Sequence, residues 1–199
     1  MGNMSPTIPD FLKRVNLVQM SSWEDCPLRS AAVLVLFIKT DQTWTLLLTR
    51  RSRHLNHHRG QIGFPGGMRE AGDISPEETA LREYEEELGA PRDRVFVLGC
   101  LKPEQSIDRL QVIPVVAMAS DPGYFHPSQD EVAEVLQADL DDLANYSIFS
   151  FNVFGRWRSS DLFQTKATRI WGLSARILHS AGFPAILTGS SDKGSAPSD

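Results

Sequence analysis

Apolar residues along this chain are grouped in short unbroken runs separated by polar punctuation, with one stretch at helical spacing. Residues 31–38 (Ala-Ala-Val-Leu-Val-Leu-Phe-Ile) and 44–49 (Trp-Thr-Leu-Leu-Leu-Thr) flank the polar segment 39–43, which is the pattern of two buried strands joined by a hairpin loop. Residues 95–101 and 112–119 predict two more strands of the same kind. Residues 131–143 stay open between helix and strand: Val132, Val135 and Leu136 suit a helix, while the run Val-Ala-Glu-Val-Leu suits a strand. Ile170, Trp171, Leu173, Ile177 and Leu178 recur with a helical period over 170–181, and Gly182 follows as a cap. Near the start, Phe11, Leu12 and Leu17 are anchors for a short helix.

Between the two strand pairs the signals for a helix are complete. Ser75 is an N-cap, Pro76 stands at the first helical position, and Glu78 closes a capping box three residues after the cap. Gly89 and Pro91 end the helix. Leu81, Tyr84 and Leu88 fall at i, i+3 and i+7, so they mark the face that packs on a sheet. Strands on both sides of a central helix, with a second helix late in the chain, predict an α/β layered domain over 30–188. An extension of mixed polarity (1–29) precedes it, and a Gly/Ser/Asp/Pro tail (189–199), too polar to order itself, follows.

Composition fits one soluble globular domain. The chain has 199 residues, 41% hydrophobic and 23% charged, with a formal net charge of -5. A chain of this size buries enough surface for a core without a structural metal or disulfides, so a metal here would serve chemistry. The mild acidity argues against a nucleic-acid-coating protein. No apolar run approaches the ~20 residues of a membrane helix, and no secretory leader is legible. Cys26 and Cys100 form neither a disulfide framework nor a zinc pattern, which suits a reducing, cytoplasmic setting.

The chemistry lies on the far side of the capped helix. At about 100° per residue, Glu83, Glu86 and Glu87 share an arc of about 100°. Like charges at this spacing repel by only a few tenths of a kcal/mol, so a solvated acidic face is one reading. The other is a seat for hard divalent cations, Mg²⁺ or Mn²⁺, which prefer oxygen ligands and also bind phosphate. Arg82 is spaced to face Glu85 and Glu86 at i+3 and i+4. Just upstream, Phe64-Pro65-Gly66-Gly67 begins a loop whose glycines let backbone approach a ligand or a metal.

A Gly-Gly loop at fixed distance from such a helix resembles the Nudix box. That box reads Gly, five residues, Glu, seven residues, then Arg-Glu-hydrophobic-any-Glu-Glu-any-Gly-hydrophobic. Here Gly67 is followed by five residues, Asp73, eight residues, and Arg82-Glu83-Tyr84-Glu85-Glu86-Glu87-Leu88-Gly89-Ala90. Asp73 replaces the first Glu and one residue is inserted, both within the loop. Upstream, Leu47-Leu-Thr-Arg-Arg51-Ser52, Gly60 and Phe64-Pro-Gly-Gly67 are similar to the second signature of the coenzyme A pyrophosphatase branch, with Asn56 where that signature has Arg.

The resemblance implies a Nudix-type α/β/α sandwich with a mixed central sheet. It implies Glu83 and Glu87 as metal ligands, Glu86 as a further ligand or a general base, a backbone carbonyl from Gly66 or Gly67, and Arg82 orienting the glutamates. Glu131 and Glu134 are other candidates for the base, against the alternative of plain surface residues. Arg51 matches the second signature and is favoured for substrate phosphate among the basic residues Arg50, Arg51, Arg53, His54, His57, His58 and Arg59; the histidines read as loop solubilisers. Trp171-Gly172 resembles a pair that recurs in this branch, though Trp more often serves a core. The implied activity is hydrolysis of the pyrophosphate of coenzyme A or its thioesters, a small-molecule substrate, by a monomer or homodimer. The alternatives are another nucleoside diphosphate derivative, such as an NDP-sugar, a dinucleotide or an oxidised nucleotide, or a non-catalytic binding module. Retention of all three glutamates disfavours the binding module.

Overall fold

The computed structural model describes residues 7–24, 26, 27, 29–54, 59–153 and 155–189. In chain order its elements are α1 (Asp10–Lys13), β1 (Ser30–Lys39), β2 (Trp44–Arg51), β3 (Ile62–Gly63), β4 (Gly66–Met68), α2 (Pro76–Leu88), β5 (Phe96–Cys100), β6 (Glu104–Gln105), β7 (Gln111–Ala119), β8 (Val132–Asp139), β9 (Tyr146–Val153), β10 (Arg156–Gln164), β11 (Arg169–Trp171), α3 (Leu173–Ser180) and α4 (Ala185–Thr188). Asn56, His57, His58 and residues 190–199 lie outside the described residues.

The central strand is β1, which is buried along both faces because helices cover both sides of the sheet. It runs parallel to β7 from Ser30↔Gln111 to Ile38↔Ala119 and antiparallel to β2 and β4. Eight strands make this mixed sheet, with β3-β2-β1-β7-β5 as its path and β8 paired with β2. Side chains alternate across it. Ala32, Leu34 and Leu36 of β1 pack with Ala80, Tyr84 and Leu88 of α2, while Val35 and Phe37 pack with Leu12 of α1 and Ala175, Ile177 and Leu178 of α3. The result is an α/β/α sandwich, as the fold expectation has it. No helix among the described residues is long and apolar enough to cross a membrane.

Helix α2 begins as its sequence dictates: the Ser75 hydroxyl accepts from the Glu78 N–H at 3.1 Å, and Gly89 closes the helix in the left-handed region (φ 60°). A side chain at Gly89 would also meet the His126 carbonyl, so two constraints coincide there. Tyr84 and Leu88 are fully buried on the sheet side, and Leu81 is half-buried. Truncating Leu88 to Ala would cost about 2–5 kcal/mol.

One open segment is settled and two expectations change. Residues 132–139 form a strand, β8, because β2 offers a pairing edge from Thr45↔Asp139 to Arg51↔Val132. The late helix starts at Leu173 and not Ile170: Ile170 and Trp171 belong to β11, and Gly172 (φ 67°) turns the chain into α3. Trp171 is exposed and not core, with its ring edge-on to Phe149. It belongs to a second sheet, β11-β10-β9, which the apolar pattern does not predict. Trp157 and Ile148 of this sheet are likewise exposed.

Candidate active site

The site forms where β4 passes under α2. Gly66 and Gly67 are not in a loop, as expected, but in a strand pairing Val33↔Gly66 and Ala32↔Gly67 with β1. Each glycine answers a different constraint. Gly66 has φ 151°, and a Cβ there would lie 2.4 Å from the Ala32 carbonyl oxygen. A Cβ on Gly67 would instead lie 2.3 Å from Oε1 of Glu83. The Glu83 carboxylate thus rests directly against bare backbone.

The acidic arc is not a uniformly solvated face. Glu87 is 3% exposed, the Glu83 side chain 16%, and the Glu86 side chain 58%. Burial pushes the Glu87 carboxyl up to about 8; Arg51 opposes this, Glu83 and Glu131 add to it, and the Gly66 N–H, 3.4 Å from Oε2, opposes it. Burial also pushes the Glu83 carboxyl up, with Arg82 pulling it back and Glu86 and Glu131 adding to the rise. Glu131, exposed at the entry to β8, acts electrostatically on both glutamates. Glu134 is turned elsewhere, paired across the β2–β8 ladder with Nε of Arg50 at 2.8 Å.

Arg82 organises the cluster. Its Nε and Nη2 donate to the two carboxylate oxygens of Asp73, each at 3.1 Å, and Nη2 also donates to the Met68 carbonyl at 3.1 Å. Nη1 stands 2.8 Å from Glu86 and 3.1 Å from Glu83. Glu85, the other partner expected from spacing, instead faces Arg92 at 3.7 Å. Asp73 is buried and also accepts from the Glu70 N–H at 2.9 Å and the Thr79 hydroxyl at 2.8 Å. Burial alone would raise the Asp73 carboxyl, but these donors and the Arg82 charge hold it below its ordinary value. The loop departure therefore carries a defined job, anchoring Arg82. The acidic residue at the box's first acidic position is the sequence signal for it; Thr79 gives no such signal.

Arg51 reaches the site from the end of β2. Leu47 packs with the α2 side of the sheet, and alternation brings Arg51 to the same face. Its Nη1 lies 3.6 Å from Oε1 of Glu87. Arg53, His54 and Arg59 are exposed.

Among the described residues no three His, Cys, Asp or Glu side chains are drawn together closely enough to hold a metal ion. Arg82 stands between Glu83 and Glu86, and Arg51 stands at Glu87. The donor set nevertheless suits a hard divalent cation: a nearly fully buried carboxyl in Glu87, a second in Glu83 lying on glycine backbone, and Glu131 acting on both.

Comparison with known proteins bears on the family and the fold. The profile of the NUDIX domain matches residues 28–155. The protein called uncharacterized Nudix hydrolase NudL of Pectobacterium atrosepticum is 40% identical over 183 residues, 88% of this chain and 95% of that one. Its namesake in Escherichia coli strain K12 is 34% identical over 186 residues, 87% of this chain and 92% of that one. The crystal structure of a MutT/nudix family protein from Enterococcus faecalis superposes with a TM-score of 0.51 at 20% identity, over 77% of this chain and 60% of that one, and so shares the fold. The chain belongs to the Nudix family.

Proposed function

We propose that this protein is a Mg²⁺- or Mn²⁺-dependent hydrolase that splits the pyrophosphate linkage of coenzyme A or its thioesters, giving adenosine 3′,5′-bisphosphate and 4′-phosphopantetheine products. The observation that carries the reading is the buried Glu87 carboxyl beside Glu83, with Gly66–Gly67 backbone on one side and Arg51 on the other. The second signature, with Arg51 in its matched position, favours the coenzyme A class over other nucleoside diphosphates. The catalytic unit is assigned to 30–188, working in the cytoplasm.

Glu83 and Glu87 would hold the divalent ions, with Glu86 as an additional ligand and a Gly66 or Gly67 carbonyl nearby. Bound there, such ions neutralise diphosphate charge and acidify water. The protein's own groups do the rest. Arg82, fixed by Asp73, keeps Glu83 and Glu86 in place so that no reorganisation is needed at the moment of reaction. Glu131, exposed at the mouth and close enough to act on both buried glutamates, takes the proton from the attacking water; Glu86 is the other candidate for that role. Glu134 is set aside because Arg50 holds it. Arg51 binds substrate phosphate through its planar fork.

The test is a panel of coenzyme A, acyl-coenzyme A, ADP-ribose, NADH and nucleoside triphosphates with Mg²⁺, with products identified by phosphorus NMR. Fastest turnover of a coenzyme A species, with adenosine 3′,5′-bisphosphate released, supports the reading. Faster turnover of any other member reassigns the substrate, and turnover of none overturns the activity.

A further inference from the structure

Two arginines face neighbouring carboxylates of the acidic arc, Arg82 at Glu83 and Glu86 and Arg51 at Glu87, and are held in opposite ways. The Arg82 guanidinium is saturated: its fork closes on Asp73, and its remaining donors meet Met68 and Glu86. Nη1 of Arg51 approaches Glu87 to 3.6 Å, beyond hydrogen-bond length, and the buried Nε of Arg51 has no hydrogen-bond partner among the described residues. A buried N–H left unpaired is costly. Charge, and not a completed bonding pattern, keeps Arg51 there. Glu87 needs such a neighbour, since its side chain is only 4% exposed and it sits beside Glu83.

We infer that Arg51 is an exchangeable partner of Glu87: it stands against that carboxyl group in the metal-free protein, and when a divalent cation occupies Glu87 the guanidinium is released to bind a phosphate of the nucleotide. The inference rests on Glu87 being a metal ligand. Two cations compete for one carboxylate, so Arg51 opposes metal binding until an anion is there to receive it. Once the guanidinium has moved, the unpaired Nε and the adjacent Nη form two parallel donors, the arrangement that fits a phosphate. Metal and nucleotide thereby favour one another, and linkage makes the gain equal in both directions. Arg82 takes no part in the exchange, because leaving Asp73 would strand a buried carboxylate.

The experiment is calorimetric titration of Mn²⁺ into the full chain, for the parent, Arg51→Gln and Glu87→Gln, followed by adenosine 3′,5′-bisphosphate with and without Mn²⁺. Removing the competing charge should tighten Mn²⁺ binding about fivefold or more and abolish the gain in nucleotide affinity that Mn²⁺ brings to the parent. An Arg51 that only supports the local fold would, when lost, loosen Mn²⁺ instead. Equal or weaker Mn²⁺ binding by a folded Arg51→Gln overturns the exchange. If that variant fails to fold, the side-chain Nε–H resonance of Arg51 in the parent decides: Mg²⁺ with adenosine 3′,5′-bisphosphate should shift it, and no shift at Arg51 overturns the exchange. Mn²⁺ binding that Glu87→Gln leaves unchanged defeats the ligand assignment itself, a result separate from any outcome at Arg51.

Discussion

Asp73 grips Arg82 with both carboxylate oxygens, each 3.1 Å from a guanidinium nitrogen, and Arg82 in turn lies between Glu83 and Glu86. The side chain that departs from the family's box is thus the one that sets the position of its arginine. Replacing Asp73 with Ala strands a guanidinium whose side chain is 18% exposed and should cost about 3 kcal/mol. Urea denaturation measures the loss, and turnover should fall with it because Arg82, no longer anchored, ceases to fix the positions of Glu83 and Glu86. Stability unchanged within ~0.5 kcal/mol would contradict the anchoring role.

The paired glycines separate stability from activity. At Gly66 an added Cβ meets backbone, the Ala32 carbonyl, in a φ that side chains avoid, so Gly66→Ala should destabilise the fold by about 1–3 kcal/mol. At Gly67 the added Cβ meets only the end of the Glu83 side chain, which can swing away. Gly67→Ala should therefore melt close to the parent yet lose most of its turnover. Thermal melts and initial rates on the same preparations would show the contrast.

Glu87→Gln and Glu83→Gln should each lower turnover by about 10²-fold or more, as loss of a group that stabilises developing charge does. Glu87→Gln should also make the metal-free protein more stable at pH 8 and above, since a buried charge is removed. A variant with parental turnover would refute its residue's role.

The pH dependence of the metal-free protein has a definite sign. Glu87 titrates at about 8 in the folded chain, above the ordinary carboxyl value it takes when unfolded. Between those limits the folded state holds a proton that the unfolded state has released, so stability is full below the lower limit and declines as pH rises to about 8. Urea midpoints from pH 5 to 9 in EDTA should show the decline. Mg²⁺ should flatten it by keeping Glu87 ionised in the fold.

Local chemistry was legible from the residues; long-range pairing was not. The Ser75 cap, Pro76, Gly89 and the Tyr84–Leu88 face are decided within one helix turn or two, so α2 could be placed from sequence alone. Residues 132–139 are equally compatible with helix and strand until the β2 edge claims them. The β9–β10–β11 sheet carries no such signal, because Phe149, Phe151, Trp157 and Trp171 lie among exposed polar positions, with no buried run to mark it. At the site, spacing gathers Glu83, Glu86 and Glu87 on one arc but says nothing of depth. Burial of Glu87 depends on β4 and β1 passing beneath α2, a tertiary fact that helical periodicity does not contain.

The most direct measurement is anomalous diffraction from crystals of the protein soaked with Mn²⁺ and adenosine 3′,5′-bisphosphate. A manganese peak at coordinating distance from the carboxylates of both Glu83 and Glu87 is the predicted result. Manganese absent from that place, or bound only at other acidic residues, would contradict it.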